Sequence, residues 1–151
     1  RRRKSGGTEP MNEEKEELLF QLRFSSSPDR LKMVRALVGE AGRICGLSEA
    51  DANDLVIAVN EACQNVICHA YGGDPREVIV LEFLRCGDSV VMKLRDFAPS
   101  VEVEKIKPRD IDDIRPGGLG THFIGEVMDE TAFMSPRDGG GNILRMVKKI
   151  G

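Results

Sequence analysis

The sequence lacks any apolar run near the roughly 18 residues that a membrane-crossing helix needs. No membrane association is expected on that ground. It also lacks a C-x-x-C pair, since Cys45, Cys63, Cys68 and Cys86 stand apart. Cys63 and Cys68 are five apart within one helical pattern, which points them in different directions. A zinc site or a disulfide framework is therefore not expected, and reduced thiols in a cytosolic protein are the simpler reading. The basic N-terminus has no apolar run behind it and does not read as a secretory signal. Positive charge is short elsewhere. Net charge is −3, and residues 1–10 hold four basic groups and one acid (+3), leaving −6 for residues 11–151. An acidic body argues against direct nucleic-acid binding. No internal repeat or low-complexity segment occurs, and the only histidines are His69 and His122.

What remains is a chain of 151 residues, 40% apolar and 31% charged, which suits one globular domain with a sizeable core. Residues 1–16 read as a flexible tail or linker, with Ser5-Gly6-Gly7-Thr8-Glu9-Pro10 within it, and residues 17–151 as the domain. Alternation at Phe20, Leu22 and Phe24 predicts a strand. Ser27 as cap, Pro28 and Asp29 open a helix expected to bury Leu31, Val34, Leu37, Val38 and Ile44, and Gly46 stops it. Ser48, followed by Glu49 and Asp51, opens a longer helix that runs to Gly72-Gly73-Asp74-Pro75. Residues 78–84 and 90–96 read as strands around a Gly87-Asp88 turn. Residues 97–117 show no strong periodicity, though 101–106 could hold a local element. A short helix over Thr121–Met128 follows, then strands at 131–135 and 143–150 around Gly139-Gly140-Gly141. Hairpins and bunched helices predict an α+β fold, with helices on one face of a mixed, mostly antiparallel sheet.

The long helix carries the most informative stretch. Leu55, Val59, Ala62, Val66 and Ala70 recur at spacings of three and four and turn one face to a core. Glu61, Asn65 and His69 are each four apart and so are expected to stack on one side. A carboxylate and an amide oxygen one turn apart suit phosphate chemistry, although such a pair taken alone is ordinarily a solvated helix face. Gly117-Gly118-Leu119-Gly120 before a helix is either a flexible turn or a place where backbone N–H groups meet an anion. It is not a P-loop, because no Lys-Ser or Lys-Thr follows. Asp96, at a strand end, either caps a turn or accepts from the exocyclic amine of a base.

In chain order, Glu61 and Asn65 on a helix, Asp96 after two strands and a glycine-rich helix start after a loop resemble the Bergerat-fold (histidine-kinase-like) ATP-binding superfamily, a two-layer α/β sandwich. Glu61-Ala62-Cys63-Gln64-Asn65-Val66-Ile67-Cys68-His69-Ala70-Tyr71 resembles the N box of the anti-sigma-factor serine/threonine-protein kinases, and Pro116-Gly117-Gly118-Leu119-Gly120-Thr121-His122-Phe123-Ile124 their second glycine box. The resemblance spans roughly residues 17–150. It implies a bacterial, cytoplasmic kinase that uses ATP and Mg²⁺, phosphorylates an anti-sigma-factor antagonist, binds a sigma factor in its other state, and works as a homodimer. It implies Glu61 as general base, Asn65 as the Mg²⁺ ligand, and Asp96 as acceptor for the adenine amine. Ala98 would lie against the adenine, Gly117, Gly118, Leu119, Gly120 and Thr121 would line the phosphates, and residues 98–116 would form the lid. His69 is the usual residue of this subfamily at its position, and its role is left open between structural and functional. The chain departs from the pattern in two places. The first glycine box, typically Asp-x-Gly-x-Gly, is Asp96-Phe97-Ala98-Pro99-Ser100, and Asn142 stands where the last strand often begins Gly-Thr. These departures keep an alternative open, a non-catalytic partner-switch module with weak or no nucleotide binding. A severed histidine-kinase core is disfavoured, because the helical region before the N box holds no histidine.

Overall fold

The computed structural model describes residues 15–99 and 118–151. Among these, five strands form one sheet: β1 (Glu16–Ser25), β2 (Val78–Cys86), β3 (Ser89–Asp96), β4 (Glu130–Met134) and β5 (Asn142–Lys149), in the order β1-β2-β3-β5-β4. All four neighbouring pairs are antiparallel. Helices α1 (Leu31–Ile44), α2 (Glu49–Asn65) and α3 (Gly118–Val127) complete the described elements, with a short 3₁₀ turn at Pro28–Arg30 before α1. The expected residues 1–14 of the tail, and the segment from Ser100 to Gly117 with its local element and most of the lid, lie outside the described residues.

Strand alternation sorts the side chains as the period of two requires. Ile79, Leu81, Phe83, Met92, Leu94 and Met146 form one core with the helices. Phe20 stacks on Phe83 with ring centroids 5.1 Å apart. Leu84, Cys86, Val91 and Val147 form a smaller cluster of their own. Burying side chains such as Leu55 and Val59 completely contributes about 1.5–3 kcal/mol each.

Helix α1 corrects one expectation. Leu37 and Ile44 are 39% and 76% exposed instead of buried. The buried stripe is Leu31, Val34, Val38, Ala41 and Gly42. Glycine makes that approach possible: a Cβ on Gly42 would lie 2.9 Å from Leu55 Cδ1, and one on Gly39 would lie 3.1 Å from Val56 Cγ2. Close helix contact is made through residues that a search for large apolar side chains passes over. Ser27 precedes the 3₁₀ turn as expected, but its hydroxyl donates to the Asp29 carboxylate (2.6 Å) and makes no cap bond. Gly46, at φ 105°, ends α1 as expected, with the Leu47 N–H reaching back to the Gly42 carbonyl.

A buried lysine ties the helices to the sheet through β5. Lys148 on β5 donates to Asp54 Oδ2 of α2 (2.9 Å) and to the Val127 carbonyl at the end of α3 (2.6 Å). Burial opposes its charge most strongly, but Asp54, Asp129 and Asp51 together outweigh burial and hold the ammonium above the usual lysine value.

Candidate functional site

The helical side of the site is set by α2. Ser48 caps it by accepting from the Asp51 N–H (3.1 Å). Leu55, Val59 and Ala62 are buried as their spacing predicts, which leaves Glu61 and Asn65 half-buried on the last turns. Arg35 of α1 donates to the Asn60 side chain (2.8 Å), fixing α1 against α2 one residue before Glu61. The α-helix then ends at Asn65, short of the expected limit, and Val66–Ala70 form a wider π turn. Its signature is the Tyr71 N–H bonded to the Val66 carbonyl (2.9 Å). Such insertions often sit at functional positions. His69 lies within this wider turn and is exposed, whereas Glu61 and Asn65 are half-buried. The structure keeps Glu61 and Asn65 together on α2 and places His69 in the π turn that follows.

The sheet side is built around Asp96. It ends β3, is 7% exposed, and faces Asn142 directly across the β3–β5 ladder. The Asn142 amide donates to Asp96 Oδ1 (2.9 Å), and the Ala98 N–H donates to the same oxygen (3.0 Å). Gly141 makes this closeness possible. Its φ is +93°, and a Cβ there would fall 1.8 Å from the Asp96 carbonyl oxygen. Arg95 secures the same turn through the Gly140 carbonyl (2.6 Å) and Asp138 (2.7 Å), and its guanidinium lies 4.7 Å over the Phe97 ring.

Tyr71 joins the two sides. Its hydroxyl donates to the Val78 carbonyl (2.5 Å) and accepts from the Phe97 N–H (2.7 Å). Burial pushes this phenol up, with the Phe97 N–H acting against that shift. The N-box end thus meets the backbone immediately after Asp96. Sequence reasoning quoted Tyr71 without giving it a role and read Gly141 only as a turn. Two signals were available: Tyr71 is the sole tyrosine, and a glycine directly precedes the strand residue opposite Asp96.

The third element is α3. It begins at Gly118, earlier than expected, so Gly118, Leu119, Gly120 and Thr121 belong to its first turn and do not precede it. Gly117 lies outside the described residues. First-turn N–H groups have no partner inside a helix and can meet an anion. Ile124 and Met128 are buried in the core shared with α2.

Residues 24–148 match the histidine kinase-like ATPase domain family. The chain belongs to that family. It is 32% identical over 118 residues to the serine-protein kinase RsbW of Listeria monocytogenes, covering 72% of this chain and 74% of that protein. It is 29% identical over 126 residues to the serine-protein kinase RsbW of Bacillus velezensis, covering 77% and 78%. It therefore sits with the serine-protein kinases of this ATPase family, as the N box and second glycine box imply. A solved Mycobacterium tuberculosis protein with RsbU and RsbW domains superposes at a TM-score of 0.60 and 20% identity. That match covers 86% of this chain and 32% of the other, and it supports the two-layer α+β fold. Among the described residues, no helix is long and apolar enough to cross a membrane.

Proposed function

We propose that this ATPase domain transfers the γ-phosphate of ATP to a serine or threonine hydroxyl of an anti-sigma-factor antagonist. In the other state of the switch it holds a sigma factor. The observation that carries the reading is the Asp96–Asn142 pair joined through Tyr71 to the helix bearing Glu61 and Asn65. Glu61 takes the proton from the acceptor hydroxyl as its oxygen bonds to the γ-phosphorus, and ADP leaves with the electrons of the broken P–O bond. Asp96 accepts from the adenine amine, and Ala98 borders the ring. The N–H groups of Gly118, Leu119, Gly120 and Thr121, with Gly117 before them, face the phosphates. The donor set fits both ligands: a buried carboxylate oriented by two N–H donors suits a base edge, and the Asn65 amide oxygen suits a hard cation. Mg²⁺, when bound, neutralises phosphate charge. Asn142 supplies the polar group where the family often has threonine. The working unit is a cytoplasmic homodimer whose domain starts at β1, one residue before the expected 17–151, since Glu16 already pairs with Cys86, with the residues before it as a tail.

One observation favours a second reading, a switch that binds partners without catalysis. Both glycines of the first glycine box are replaced, by Ala98 and Ser100. Labelled γ-phosphate transfer to a purified antagonist separates the two. Wild type transfers, and Glu61→Ala falls about 10²–10⁴-fold in rate. Equal rates would remove Glu61 as the base. No transfer by wild type, with ATP bound, would favour the binding switch.

A further inference from the structure

We propose that Tyr71 is a positioning residue for the nucleotide-base end of the site, its hydroxyl wedged into the β2–β3 ladder where the next strand bond would form. The proposal rests on the reading of Asp96 as the base acceptor. The ladder pairs Ile79 with Asp96, so the next pair in register would be Val78 with Phe97. Those two backbones do carry facing groups, a Val78 carbonyl and a Phe97 N–H. The Tyr71 hydroxyl takes both, at 2.5 Å and 2.7 Å. One oxygen therefore replaces a strand bond and ends the ladder at Asp96.

The consequence reaches the carboxylate through one peptide. The Ala98 N–H bonds to Asp96 Oδ1, so the orientation of the Phe97–Ala98 peptide directs that oxygen. The ring is brought to this gap by the π turn that ends the N box and by the Gly73 N–H bond to the Ile67 carbonyl (2.7 Å). A tyrosine outside the sheet thus sets the backbone at the place where the chain has Phe97-Ala98-Pro99 instead of a flexible glycine pair. Without the hydroxyl, Val78 and Phe97 can close on each other, moving the peptide and the carboxylate.

The test is Tyr71→Phe in the full chain. The dissociation constants of ADP and ATP should rise by the same factor, about tenfold, the loss of one hydrogen bond to the base end. The ATP concentration for half-maximal phosphotransfer should rise equally, with the saturated rate within about twofold. Amide exchange at Phe97 should change. Unchanged affinity for both nucleotides, with or without a fall in thermal stability, would overturn the proposal. Wild type that binds no nucleotide would instead overturn the reading beneath it. A second measurement leaves the side chain in place. Because Tyr71 is the only tyrosine, 3-fluorotyrosine labels this one site. Its fluorine resonance should shift on saturation with ADP; an unmoved resonance in a protein that binds ADP would also overturn the role.

Discussion

The two ends of the site are held in different ways. At the sheet end, Asp96 is buried, and its segment is fixed by Tyr71 and by Gly141 and Asn142 from other parts of the chain, with the neighbouring Arg95 holding the facing turn. At the helix end, Glu61 and Asn65 are half-buried residues of one helix, and the glycines open another. The sheet end is preorganised by tertiary bonds. The helix end carries the groups proposed to meet the phosphates and the transferred proton. Such a division fits a domain in which the base fixes the nucleotide and the phosphates do the chemistry.

Substitutions can break or sharpen this contrast. The largest structural effect is expected from Gly141→Ala, which combines a left-handed φ with a clash on the Asp96 carbonyl. Denaturant unfolding should show a loss of about 3 kcal/mol or more. A variant of wild-type stability would mean the sheet end is not rigid. Lys148→Met comes next. It leaves the Asp54 carboxylate and the Val127 carbonyl without their ammonium, and unfolding should show a loss of about 2 kcal/mol. Asn142→Ala removes one donor to Asp96 Oδ1 and leaves the Ala98 N–H in place. Calorimetry should record about a tenfold loss of ATP affinity, near 1.4 kcal/mol, with little change in the saturated transfer rate.

The smallest effect concerns pH. Burial raises the Glu16 carboxyl, but the hydrogen bond and charge of Lys93, aided by Arg145, outweigh it and hold the group below its usual 4.5. A depressed folded-state value means the contribution is present above about pH 4.5 and is lost as pH falls through the lower folded value. Being partly exposed, the group should contribute under about 1 kcal/mol. Stability curves of wild type and Glu16→Gln should differ at pH 6, and the gap should narrow as pH falls below 4.5. A constant gap would contradict the assignment.

The contrast also explains what the sequence made legible. The N box is a local pattern, and local spacing placed Glu61 and Asn65 on one helix face. It did not reveal the π turn of Val66–Ala70, in which His69 lies. The strands, the Ser48 cap and the hairpin at Gly87-Asp88 follow from alternation and turn chemistry, and they stand close to where expected. The sheet end was legible only in part. Asp96 and Asn142 were singled out by resemblance, but their bond depends on a register between residues 46 apart. Tyr71 and Phe97 are 26 apart, and no spacing rule links them. Gly39 and Gly42 were missed because their contribution is the side chain they lack.

The central claim is that the sheet end binds nucleotide although the first glycine box has lost both glycines. Calorimetry of ATP with Mg²⁺ against wild type and Asp96→Ala tests it most directly. The account predicts saturable binding by wild type that the variant loses. Absent binding by wild type, or equal binding by both, would contradict it.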